Sequence, residues 1–170
     1  DSKGIAYFLQ RRAMNFYHIK ESYVSFLRRY DERVAENKGE SRPYVGIVLL
    51  IGAVKYYAPF TSPKPKHQRM KNSIDFRRIQ SGRLGAINFN NMIPVPDEAL
   101  IRIEISKEAD VKYRRLLQNQ YNFIRSDWKG IQDTAEKLHR LVVSQEKLSD
   151  HEKEVKNNRR SAERLSRHAE

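Results

Sequence analysis

The stretch "YVGIVLLIGAVKYYAPF", residues 44–60, places two apolar, β-branched and aromatic runs on either side of a Gly52-Ala53 pair. A two-residue turn between such runs predicts a β-hairpin. Its longest apolar part, residues 44–54, is broken by glycines and falls well short of the roughly 20 residues a membrane-spanning helix needs. Pro59 weakens strand pairing near the end of the second run. There the chain turns abruptly polar, as "TSPKPKH" (residues 61–67).

Upstream, "NFYHI" (residues 15–19) reads as a first strand. Tyr23, Phe26, Leu27, Tyr30 and Val34 then recur at helical spacing behind Ser22, a candidate N-cap, which predicts a helix over about residues 22–35. "ENKGESRP" (36–43) is a polar loop, and "RLGAINFNNMIPVP" (83–96) and "ALIRIEI" (99–105) return to strand-like composition. From about Glu108 the period changes: Tyr113, Leu116, Leu117, Tyr121, Ile124, Trp128 and Ile131 trace one helix face, continued by Ala135, Leu138, Leu141 and Val142 after a break at Gly130. Five or so short strands cannot cover both faces of a flat sheet, so the expected fold is α+β. Its core is a small, highly curved antiparallel β-barrel decorated by helices, with a helical C-terminal region.

The expected organisation is a single domain over residues 14–148. Residues 1–13 read as an N-terminal extension ahead of Met14, a candidate natural start, and residues 149–170 as a charged tail, helical or disordered. The 170-residue chain has no cysteine, which excludes disulfides, thiolate metal sites and cysteine nucleophiles and fits a cytoplasmic protein. Its formal charge is +12. Half of that lies in residues 64–83, where Lys64, Lys66, Arg69, Lys71, Arg77, Arg78 and Arg83 face Asp75 alone. Such concentration points to a phosphate-rich partner rather than to diffuse solubility.

No Gly-rich phosphate loop, HExxH or GxSxG motif is present, and no two of the five histidines have zinc-site spacing. RNA cleavage needs neither, because the substrate carries its own nucleophile in the adjacent 2'-hydroxyl; a protein need only orient it, stabilise the phosphorane and manage protons. "TSPKPKH" holds suitable parts in the hydroxyls of Thr61 and Ser62, the cations of Lys64 and Lys66, and the imidazole of His67, on a loop stiffened by Pro63 and Pro65. Taken alone, this segment also reads as an ordinary turn, His67 as a solvated loop histidine, and the basic run as a solvated helix face. Tyrosines beside cations suit unpaired bases, although Tyr30, Tyr113 and Tyr121 fall on apolar faces.

Three motifs in the same order, "KYYAPFTSPK", "GAINFNNMIPV" and "KYRRLLQNQYNFI", behind "NFYHIKESYVSFLRRYDERV", resemble the ToxN/AbiQ family, the endoribonuclease toxins of bacterial type III toxin-antitoxin and phage-exclusion systems. The resemblance runs from Met14 to about Val143. It implies a Kid/MazF-like barrel that cleaves RNA without metal or other cofactor, leaving a 2',3'-cyclic phosphate and a 5'-hydroxyl. It also implies a partner, a small structured antitoxin RNA such as a pseudoknot, processed from tandem repeats and retained in a closed protein-RNA assembly. The family's essential serine matches Ser62, with Thr61 and Lys64 as its neighbours. Tyr23 matches a groove-lining tyrosine and His67 a family histidine, while Arg42 stands where a lysine is expected, keeping the charge but changing its geometry. The expected RNA-contacting set adds Lys66, Arg69, Lys71, Arg77 and Arg78, with Asn88, Asn90 and Asn91 of the second motif. Two other classes compete: a non-catalytic RNA-binding module, and a DNA-binding repressor, for which no recognition helix follows the proline-rich loop.

Overall fold

The computed structural model describes residues 14–167, with the backbone alone at 148–149 and from 151 onward. The extension expected at residues 1–13 lies outside the described residues. Two compact units divide at Glu136 and Lys137. The second, residues 137–167, is a stretch of helix. No helix among the described residues is long and apolar enough to cross a membrane.

The first unit holds a seven-stranded antiparallel sheet: β1 (Asn15–Ile19), β2 (Tyr44–Ile51), β3 (Val54–Thr61), β4 (Phe76–Arg78), β5 (Ala86–Asn88), β6 (Ile93–Pro94) and β7 (Leu100–Arg102). The helices are α1 (Glu21–Tyr30), α2 (Pro65–Arg69), α3 (Val111–Ser126) and α4 (Trp128–Arg167). The hairpin forms where its sequence places it, β2 and β3 turning at Gly52-Ala53 with Ile51 opposite Val54. Strand order is β4-β5-β3-β2-β1-β7, and β6 joins β3 on the edge that β5 also uses. Tyr56 and Tyr57 of β3 thus pair with β6, while Phe60 and Thr61 pair with β5.

The sheet is open. Its end strands, β4 and β7, do not pair with each other, so the expected closed barrel is not what forms. Both ends are three residues long. Curvature enters instead through a bulge in β2, where the register jumps between Gly46 and Leu49. Helices cover the two faces that closure would otherwise have buried. On one, Val24 of α1 packs with Ile19, Tyr44, Tyr57, Ile93, Val95 and Ala99. On the other, Phe16 meets Phe60 at 4.5 Å between ring centroids and Tyr121 of α3 edge-on at 5.6 Å. Gly46 matters to the first face, because a Cβ there would sit 2.1 Å from the Tyr57 ring.

Several boundaries differ from the sequence reading. Helix α1 ends at Tyr30 rather than near residue 35, because the Asp31 carboxylate takes the Arg33 backbone N–H and guanidinium and turns the chain out of the helix. Val34 still packs against the core, whereas Tyr30, expected on the apolar face, is 79% exposed. Ser22 does not cap this helix; Lys20 occupies the cap position with no side-chain bond. The strands drawn from residues 83–105 are three short pieces separated by 3-10 turns. The basic run also contains a strand, β4, that its composition does not signal.

The helical break falls at Asp127, not at Gly130. Asp127 forms a two-pronged ion pair with Arg77 of β4, Nε–Oδ2 2.6 Å and Nη2–Oδ1 2.7 Å, with both side chains 24% exposed. A Cβ at Gly130 would lie 2.2 Å from Arg77 Nη2, so this glycine makes room for the guanidinium rather than interrupting a helix. The pair ties the sheet's end strand to the α3–α4 junction. Removing one partner leaves a largely buried charge uncompensated, which costs about 3–5 kcal/mol in a fully buried pair and less at this partly exposed one. Arg77→Ala should therefore lower the denaturant midpoint clearly, and Arg77→Ala/Asp127→Ala should restore part of the loss; a double-mutant cycle with no coupling would remove the pair from the fold's supports.

Candidate active site

The end of β3 positions the candidate residues. Thr61 is its last residue, paired with Ala86 of β5, and Ser62 follows exposed to solvent. Pro63 and Pro65 bracket Lys64, and Pro65 opens α2 at the first helical position, where its missing N–H is harmless. The "TSPKPKH" segment is therefore a strand end running into one helical turn, not a free loop.

His67 is neither solvated nor on a loop. It lies in α2, 3% exposed, and closes a reciprocal bond with the helix cap: His67 N–H donates to Lys64 O at 2.9 Å, and Lys64 N–H donates to His67 Nδ1 at 3.1 Å. An Nδ1 that accepts cannot carry a proton, so the neutral ring bears its proton on Nε2. Burial, with the charges of Lys66 and Lys64, lowers its pKa below the ordinary 6.5. The imidazole fixes the backbone of Lys64 as a neutral acceptor, and Nε2 alone is left for proton chemistry.

A second segment, residues 79–85, presses against this one. Gly82 approaches α2 so closely that a Cβ would lie 2.3 Å from His67 O, and at Gly85 it would lie 1.9 Å from Thr61 O; both glycines have positive φ. This close approach brings Arg83 into an open cleft lined by Pro63, Lys64, Pro65, Gln68, Arg69 and Arg83. Among the described residues, three cations line it and no carboxylate does. Beneath it, Gln120 of α3 is 1% exposed and donates to Leu84 O at 2.9 Å and to Thr61 O at 3.4 Å. Thr61 Oγ1 is buried without a hydrogen-bond partner among the described residues.

The other expected residues divide. Arg42 is at this end of the sheet, since Phe60 N–H bonds Pro43 O and Tyr44 pairs with Pro59; its Nε donates to Glu36 O at 2.8 Å. Lys66 and Lys71 are exposed. Arg78 is partly buried, bonding Gln68 O through Nη1 and Asn72 Oδ1 through its backbone N–H. Arg77 is held by Asp127 as described. The Asn88 side chain caps the 3-10 turn at Phe89–Asn91 by accepting from Asn90 N–H. Tyr23 lines another cavity with Lys55 and Asp97, where its hydroxyl donates to Pro94 O at 2.5 Å; Pro94 pairs with Tyr56, six residues before Ser62 along β3. Arg83, Gln68 and Gln120 were missed as site residues. Arg83 was visible as charge, but nothing in the sequence brought Gln120 to Thr61.

His67 should show an unprotonated Nδ1 and a protonated Nε2 at pH 7 in long-range ¹H–¹⁵N spectra, titrating below 6.5. The folded pKa is depressed, so the unfolded chain takes up the proton first: this contribution to stability is complete above about pH 6.5 and is lost as pH falls through the folded value. A midpoint above 6.5, or the opposite tautomer, would refute the cap arrangement.

Residues 15–164 match the family described as "Toxin ToxN, type III toxin-antitoxin system". The endoribonuclease ToxN of Bacillus thuringiensis subsp. kurstaki is 34% identical over 145 residues, which span 83% of this chain and 75% of the relative. A solved chain from a bacterial antiviral system regulated by a processed non-coding RNA superposes with a TM-score of 0.68 at 29% identity, covering 76% of this chain and 86% of that one. Another, from a type III system whose toxin is selectively inhibited by a non-coding RNA pseudoknot, gives 0.63 at 31% identity, covering 73% and 76%. This chain belongs to the ToxN/AbiQ family of endoribonuclease toxins of type III toxin-antitoxin systems.

Proposed function

We propose that the cleft at the end of β3 cleaves RNA without a metal ion, by transesterification, and that a small structured antitoxin RNA occupies the same surface. The observation that carries this reading is Ser62, exposed just past the end of β3 and two residues from Lys64, next to Pro63 of a cleft whose lining, among the described residues, holds three cations and no carboxylate. Like charges gathered at one point repel each other and are favoured only beside an anion. A phosphodiester is the anion that a serine hydroxyl and a lysine can share.

In this reading the substrate's 2'-oxygen attacks phosphorus and loses its proton. The bond from phosphorus to the 5'-oxygen breaks, and that oxygen gains a proton. The products are a 2',3'-cyclic phosphate and a 5'-hydroxyl. Ser62 hydrogen-bonds the scissile phosphate or its 2'-hydroxyl rather than attacking, since the cyclic product takes its nucleophile from RNA. Lys64 balances the charge developing on the non-bridging oxygens. Thr61 supports the strand end, and His67 aims the Lys64 backbone. Arg42, Lys66, Arg69 and Arg83 follow the flanking phosphates.

The antitoxin assignment is supported by the RNA-regulated and pseudoknot-inhibited systems that this chain resembles. One basic surface then serves substrate and inhibitor, and a repeat-encoded RNA inhibitor suits a closed protein-RNA assembly. Release of the toxin would halt growth, a response suited to phage infection.

Antitoxin-free protein incubated with cellular RNA in excess EDTA should leave fragments with 2',3'-cyclic phosphate and 5'-hydroxyl ends, while Ser62→Ala should bind RNA but not cleave it. Binding by both without cleavage by either would favour a non-catalytic RNA-binding module. In the Ser62→Ala background, Lys64→Ala and Arg83→Ala should each weaken RNA binding and reduce the slope of log K against log salt by about 0.7 for each phosphate no longer neutralised. An unchanged slope would place the RNA elsewhere.

A further inference from the structure

We propose that Gln120 is the positioning residue of this site, acting through the Thr61–Ser62 peptide to aim the Ser62 backbone N–H at the scissile phosphate. The inference rests on the nuclease reading and extends it to a residue outside the expected set.

Gln120 sits on α3, 1% exposed; among the described residues its Oε1 has no hydrogen-bond partner, so the NH₂ carries its bonding. Its NH₂ donates to two carbonyls from separate segments, Leu84 O at 2.9 Å and Thr61 O at 3.4 Å. Leu84 precedes Gly85, whose missing Cβ lets the loop reach Thr61 O. One amide therefore bridges the end of β3 and the segment of residues 79–85.

The consequence follows from peptide geometry. The Thr61–Ser62 bond is not among the cis peptides, and in a planar trans unit the N–H points opposite to the C=O. Drawing Thr61 O towards the buried Gln120 amide turns the Ser62 N–H away from the core, on the side where the Ser62 side chain is exposed. A backbone donor fixed in this direction stabilises oxyanion charge without reorganising during the reaction. Without the clamp the peptide plane can rotate, and both carbonyls lose a buried donor. Gln120 touches no substrate in this scheme.

Gln120→Leu keeps the volume and removes the donors; Gln120→Glu keeps the shape as a second variant. Leu117→Ala, one turn earlier on the same helix and also buried, controls for loss of stability alone. Measured below the unfolding range of all variants, Gln120→Leu should lower kcat for RNA cleavage by roughly 10- to 100-fold with KM within about threefold, the signature of misorientation rather than lost binding. Leu117→Ala should leave kcat near that of the parent. The ¹⁵N order parameter of the Ser62 amide, read by NMR relaxation without RNA, should fall in the Gln120 variants and not in the control. Equal losses of kcat in Gln120→Leu and Leu117→Ala, or an unchanged Ser62 order parameter, would overturn the proposal. If the parent protein cleaves no RNA, the nuclease reading fails, while the Ser62 order parameter still decides whether Gln120 holds the strand end.

Discussion

Strand β3 is hydrogen-bonded to three others, β2 along one edge and β6 and then β5 along the other. Everything that positions the site hangs from this arrangement. A strand paired on both sides cannot slip by one residue without turning its core face outward, so the register at Phe60 and Thr61 is fixed by burial as well as by hydrogen bonding. Ser62 is the first residue beyond it. The hydroxyl proposed to meet the phosphate therefore stands on a rigid support while remaining in solvent.

The basic segment divides into two kinds of cation, and the division is tertiary. Arg77 gives its guanidinium to Asp127 and helps join the sheet to the helices. Lys64, Arg69 and Arg83 converge on a cleft with no acidic neighbour in its lining among the described residues. In the sequence these residues look alike, seven positive charges in twenty positions. Whether a charge supports the fold or awaits a phosphate depends on a carboxylate fifty residues away, which no local pattern reports.

The hairpin and the helical period were legible because each is a local rule: β-branched residues around a two-residue turn, and apolar residues every third or fourth position. Closure of the sheet was not legible. A barrel is required only where strands alone must cover both faces, whereas here α1 and α3 cover them. The limits of α1 also escaped the pattern, since Val34 continues the apolar period but reaches the core after an Asp31 turn.

Within the site, the sequence alone determined its chemistry: a serine, lysines and a histidine on a proline-stiffened segment, strongly positive and recognisable as the motif of one toxin family. Only the tertiary structure decided their states. It buried His67 and made its Nδ1 an acceptor, pressed Gly82 against α2 and Gly85 against the strand end, added Arg83, bonded the Tyr23 hydroxyl to Pro94 O, and brought Gln120 to Thr61. The physical reason is range. Residue type and backbone propensity are encoded within a few positions, whereas desolvation, tautomer and the partner of a charge are set by segments distant in the chain, and exist only once those segments have packed.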